Sequence, residues 1–333
     1  MATFDTNFPI MAFPHEVDEV VISATEATDV RISFNAKEIL NTKLYPFDGK
    51  IELRGIADLY RDLMDDKVGQ LRFELGGQPG PLIMILSCTL NLSHTFEEVS
   101  NGFFCTRATF KYTHADATEW LHVISEANEI TVKGLIRPKG GDWLVQKKDL
   151  TFTDSSTPHH IDVSPRTLYD LDHYELAEYT VEAGLASVKY RIIPDGQADT
   201  LHEFGFINSF QQVEYITLMG EAEREMKTER LHAMVGGQYR NYKIEGVPYW
   251  KINSGVLPDG MLGLFDDFIT SNKIWRKSDN CAMAITDADF KTSSSNDALN
   301  RGSVTLRETG RKYRHNVPKA VNTFDITFDD TFL

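Results

Sequence analysis

The closest approach to a metal-ligand cluster is His159-His160-x-Asp162. A zinc site would need a second cluster, and neither His-Glu-x-x-His nor paired Cys or His at short spacing occurs elsewhere, so this stretch reads as a solvated loop. Asp266-Asp267, Asp287/Asp289 and Asp329-Asp330 could supply the acid and base of glycoside hydrolysis, although 49 acidic residues make chance pairs expected. Asp266 and Asp267 fall on the polar face of a predicted helix, an ordinary solvated position. Asp287 and Asp289 would share one face of a strand, where calcium or a sugar could be met, but no DxDxDG loop accompanies them. Gly76-Gly77, Gly140-Gly141 and Gly236-Gly237 lack a following Lys-Ser/Thr and form no GxGxxG, so they are expected as hairpin turns. There is no GxSxG elbow. Cys88, Cys105 and Cys281 have no CxxC spacing and sit in apolar strand-like contexts, as buried reduced thiols would. No catalytic, cofactor-binding or metal-binding residue is therefore assigned. What remains is aromatic: Tyr239, Tyr242, Tyr249 and Trp250 are candidate glycan or interface residues. Phe324, Phe328 and Phe332, spaced four apart among acids, are candidate assembly contacts.

The elements that would position these residues are mostly strands. In Asp29–Asn35, Val30, Ile32 and Phe34 alternate with Arg31, Ser33 and Asn35. Comparable runs are Lys50–Arg54, Gln70–Leu75, Leu82–Leu92, Phe103–Thr113, Glu129–Ile136, Trp143–Phe152, Leu185–Ile193, Gln238–Glu245, Ala282–Phe290 and Ser303–Glu308. Two segments follow helical spacing instead. Ile56, Leu59, Tyr60, Leu63 and Met64 form one apolar stripe, and Met261, Leu264, Phe265, Phe268 and Ile269 form the other, with Asp259 placed to cap it and Asn272 to end it. A shorter helix is expected at Ala117–Glu126, where Asp116 and Glu119 have capping-box spacing. Met219–Val235 is rich in helix-favouring residues but has a thin apolar stripe, which leaves helix and strand level.

The chain has 333 residues, is 41% hydrophobic and 25% charged, and carries a net charge of −15. Such a composition buries real cores and excludes disordered and fibrous classes. The negative balance argues against general nucleic-acid binding, and the basic stretch around Arg307 reads as a solvated strand face. No run of about 18 apolar residues predicts a membrane span. The opening MATFDTNFPIMAF lacks the features of a secretory signal, so no secretion is implied and synthesis in a reducing cytoplasm is expected. Asp, Ser, Thr and Pro interrupt the patterning at 153–166, dividing the chain into an N-terminal β-rich domain, 1–152, a linker, a C-terminal β-rich domain, 167–317, and a docking tail, 318–333. The expected fold is mainly β, a β-rich α+β chain of two β-sandwich or barrel-like domains, each with one short amphipathic helix.

The segments EFGFINSFQQVEYITLMGEAE (203–223), AMVGGQYRNYKIEG (233–246), INSGVLPDGMLGLFDDFITSNKIW (252–275) and AMAITDADFKTSSSNDALNRGSVTLRE (282–308), with the ending TFDDTF, carry a resemblance. They resemble uncharacterised tail or baseplate proteins encoded by phages and prophages of the Bacteroidetes group. The resemblance spans roughly 100 residues and the tail, and brings no catalytic residue with it. It implies a distal-tail-like virion structural protein that forms an oligomeric adaptor between the tail and host-binding parts. Its partners would be further copies of itself and other tail proteins, with no nucleic acid, no membrane insertion and no cofactor. The second class is a carbohydrate-recognising receptor-binding module that meets a host surface glycan through Tyr239–Trp250. The third is a glycan or cell-wall hydrolase built on one of the carboxylate pairs.

Overall fold

A computed structural model describes residues 2–90, 92, 94–100, 102–125, 129–152, 158–194, 201–235, 237–292, 299–309 and 313–314. Strand content is 56% and helix 12%, so the chain is mainly β, as the alternation predicts. The sheets are antiparallel or mixed, and among the described residues none closes into a barrel.

The N-terminal strands form two sheets around one core. Thr3–Phe4, Glu19–Ser23 and Lys50–Arg54 make a three-stranded sheet. Met11–Ala12, Gln78–Leu86, Val68–Leu75, Thr28–Phe34 and Lys37–Leu44 make a five-stranded one. Val20, Ile22 and Ile51 of the first meet Val30, Ile32, Leu71, Phe73 and Ile83 of the second, all buried. The predicted helix forms as α-helix Ile56–Tyr60, which tightens to a 3-10 turn at Arg61–Leu63. Ile56, Tyr60 and Met64 are buried as the stripe requires, whereas Leu59 is exposed and Ala57 takes an inward place. Gly76 and Gly77, at φ +55° and +77°, make the two-residue hairpin turn expected of them.

A second core lies between a five-stranded sheet (Phe110–His114, Ala186–Ile193, Tyr174–Ala183, Glu129–Pro138, Leu144–Thr151) and a three-stranded one (His159–Asp162, Trp120–Ile124, Phe103–Phe104). Two expectations are corrected here. The helix expected at Ala117–Glu126 is instead the strand Trp120–Ile124, hydrogen-bonded on both sides. Neighbours distant in sequence bury four of its five residues, which a short helix with one apolar side could not achieve. Of the expected linker, 153–157 lie outside the described residues, but His159–Asp162 is a strand and Pro165–Leu168 a helical turn. Ile161, Val163 and Leu168 are buried in this core, so 158–168 is no solvated spacer.

The third core belongs to an eight-stranded sheet. Its order is Val213–Leu218, His202–Ile207, Ile274–Arg276, Cys281–Lys291, Arg301–Glu308, Gln238–Asn253, Ala222–Val235, with Tyr313–Arg314 beside Gln238–Asn253. Met219–Val235, level between helix and strand on composition, is extended from Ala222 onward. The helix Asp259–Thr270 lies against this sheet with Met261, Leu264, Phe265 and Phe268 buried. Asp259 is its first helical residue and Pro258 holds the cap position, so Asp259 does not cap it; its carboxylate accepts from Asn300 Nδ2 at 3.0 Å. A fourth, smaller cluster of Phe13, Leu86, Cys88, Cys105, Ile124 and Phe210 lies where the three cores meet.

Candidate functional site

Two strands of the eight-stranded sheet outgrow it. Ala222–Val235 and Gln238–Asn253 pair along their whole length, but among the described residues Arg301–Glu308 supports only Tyr249–Asn253, and Tyr313–Arg314 supports only Glu245–Gly246. Past Tyr249 the pair therefore continues as a ribbon of about 36 Å, at roughly 3.3 Å per residue. Residues 223–232 are exposed, as are Met234 and Tyr239, which face each other next to the turn at 62% and 77% exposure. The outer edge of Ala222–Val235 has no neighbouring strand among the described residues.

At the foot of this ribbon the sheet curls. The strand Val213–Leu218 at one end passes through three residues to Ala222–Val235 at the other. The Met219 amide donates to Ser254 O at 3.2 Å and that of Asn253 to Glu221 O at 2.9 Å, which stitch the bend. The curl encloses a cavity of about 390 Å³ with Phe204, Ile252 and Met283 as its apolar wall and His202, Arg224, Trp250 and Arg276 on its polar side. The Trp250 ring has the Arg276 guanidinium 5.0 Å and that of Arg224 5.6 Å from its centre, both in cation–π range. Arg276 donates to both carboxylate oxygens of Asp279, at 3.0 and 2.8 Å, and to Glu308 Oε1 at 2.9 Å, which raise its pKa further above the ordinary range. Burial lowers the pKa of His202, which favours its neutral ring.

The sheet that carries ribbon and cavity is fixed to the middle core by buried charge. Lys111, 1% exposed, donates to Glu119 at 2.9 Å and stands 3.9 Å from Glu214. Glu214 also accepts from Thr106 and, at 2.7 Å, from Asn208, while burial pushes its pKa up. Asn208 Oδ1 takes the amides of Phe210 and Gln212, which makes the Asn-Ser-Phe segment a side-chain-locked turn. Asp267 is buried rather than solvated, a second correction to the helix: Arg107 reaches it at 3.1 Å and Ser209 Oγ at 2.6 Å.

The histidine cluster has become a joint. His160, beside His159 on a strand, places Nδ1 2.7 Å from His122 Nε2 and stacks on Trp120, while Lys67 of the first core lies 3.4 Å from the same nitrogen. Burial first, then Lys67 and His160, hold His122 down to about 3. Among the described residues no three His, Cys, Asp or Glu gather to hold a metal.

The four candidate aromatics do not cluster. Tyr239 is at the ribbon tip, about 33 Å along the strand from Tyr249, and the Tyr242 side chain lies outside the described set. Tyr249 and Trp250 are consecutive strand residues and so point to opposite faces; Tyr249 carries Lys227 at 4.6 Å from its ring centre. Only Trp250 lines the cavity. Asp287 and Asp289 are exposed, and Asp289 has Lys291 at 3.4 Å. Asp329, Asp330, Phe324, Phe328 and Phe332 lie outside the described residues. Cys88 and Cys105 are buried as expected, while Cys281 is half-buried. Arg224, Arg276 and His202 were not foreseen, and the one sequence signal that pointed this way was the neighbouring Trp250. No family model matches the chain, and no curated protein matches it.

Proposed function

We propose that the protein is a structural subunit of a phage tail or baseplate, a homo-oligomeric adaptor whose copies join through the ribbon. The tail setting comes from the resemblance of 203–308. The observation that carries the assembly reading is the long outer edge of Ala222–Val235, whose backbone groups have no partner strand among the described residues and which ends in an apolar tip. An edge of this length is a template for another strand, and two-stranded ribbons are marginal by themselves.

The edge is self-complementary. In a two-fold antiparallel pairing with Thr228 on the axis, Lys227 of each copy faces Glu229 of the other and no two acidic residues meet. Centring on Glu225, Lys227, Glu229 or Arg230 opposes each to itself, and centring on Met226 sets Glu223 against Glu229. Opposite charges across strands stabilise and like charges destabilise, by up to about 1 kcal/mol each. A second copy is therefore the occupant the edge fits.

Light scattering on the full chain is expected to show an oligomer, and Thr228→Pro, which blocks strand addition without touching a core, is expected to yield monomer with an unchanged thermal transition. Deleting 318–333 tests in parallel whether Phe324, Phe328 and Phe332 contribute. A wild-type monomer at every concentration, with no affinity for other tail proteins, would overturn the assignment.

A further inference from the structure

We propose that the cavity at the foot of the ribbon is a binding site for a small carboxylate-bearing saccharide of the uronic-acid class. The inference is independent of the assembly reading, because it rests on the concave side of the sheet and not on its edge.

The mouth of a curled sheet is a common place for a ligand, and about 390 Å³ lies in the range of small-molecule sites. The apolar wall of Phe204, Ile252 and Met283 suits the C–H face of a sugar ring. The two arginines differ in what they leave available. Arg276 is committed to Asp279 and Glu308, so it is a fixed prop for the Trp250 ring. Arg224 has no ion pair among the described residues and is held only over that ring, with its planar fork of donors open to a carboxylate.

Polar groups suited to a sugar's hydroxyls line the cavity as well. The neutral His202 ring and the Ser278 hydroxyl, both lining the cavity, complete a set for hydroxyl groups. A neutral sugar would leave Arg224 unmatched. A phosphate would bring a second negative charge towards Glu203, which also lines the cavity.

The test is calorimetry and saturation-transfer NMR on the full chain with digalacturonate and cellobiouronate, against galactobiose and cellobiose. The acidic sugars are expected to bind at least about tenfold more tightly, the weight of one charge-assisted hydrogen-bond pair. Arg224→Gln should abolish that preference at an unchanged melting temperature, and Trp250→Phe should weaken acidic and neutral sugars together. Absence of binding at millimolar concentration, equal affinity for acidic and neutral sugars, retention of the preference in Arg224→Gln, or equal competition by inorganic phosphate would each overturn the proposal.

Discussion

Lowering the pH from 7 to 5 removes stability through His122, and the size of the loss follows from its surroundings. The ring is 3% exposed, and its Nε2 lies 2.7 Å from His160 Nδ1 and 3.4 Å from Lys67 Nζ. Burial and these neighbours hold its pKa at about 3, against 6.5 in the unfolded chain. Below 6.5 the unfolded state takes up a proton that the folded state refuses until about 3, so stability falls with falling pH at about 1.4 kcal/mol per unit. Between pH 7 and pH 5 this is about 2 kcal/mol. His160, also lowered by burial and then by Lys67, acts in the same direction. Urea unfolding followed by tryptophan fluorescence is the assay, since Trp120 stacks on His160 with ring centres 4.2 Å apart. His122→Gln keeps a polar group at the joint and removes the titration. The parent should lose about 2 kcal/mol more than the variant over this pH step, with carboxylate effects common to both. Equal losses, within about 0.5 kcal/mol, would refute the placement of an uncharged His122 between two cores.

Lys111→Met leaves Glu119 and Glu214 buried without their cation, and should cost about 3–5 kcal/mol in chemical denaturation; a loss below about 1 kcal/mol would show that the cluster contributes little to the joint. Gly205→Ala places a methyl group inside the indole of Trp275 on the neighbouring strand, and a loss of about 1–3 kcal/mol is expected from the melting temperature. Gly77→Ala, at φ +77° with open space around it, should cost only about 1 kcal/mol, from backbone strain alone. Alkylation at pH 8 read by mass spectrometry should modify the half-buried Cys281 first, because burial pushes Cys88 up to about 11 and Cys105 higher still.

Strands were legible wherever one face meets a core and the other meets water, as in Thr28–Phe34 and Lys50–Arg54, because period-two alternation records that asymmetry directly. It failed where both faces are covered. Trp120–Ile124 lost its alternation to burial on both sides and mimicked a helical side. Lys111 lies on a strand covered on both faces: Phe110 and Tyr112 pack against the third core, and Lys111 and Thr113 on the other face are fully buried. A buried lysine has no mark in sequence, since what makes it tolerable, Glu119 and Glu214, arrives from other elements. Asp267 was misplaced for the same reason, its partners Arg107 and Ser209 being remote in the chain. Of the candidate site, Trp250 was legible as an aromatic worth singling out. Arg224 and Arg276 were not, because their convergence depends on the curl of the sheet.

The ribbon is the direct extension of strands that run into the third core. A pull on Met234 or Tyr239 along its axis would load the hydrogen bonds between Tyr249–Asn253 and Ser303–Arg307 side by side and in shear, whereas a sideways pull would peel them one at a time. The same arm is thus stiff to tension along its length and yielding to torque across it. In the proposed assembly, such a coupling would let neighbouring subunits pivot while they remain tethered.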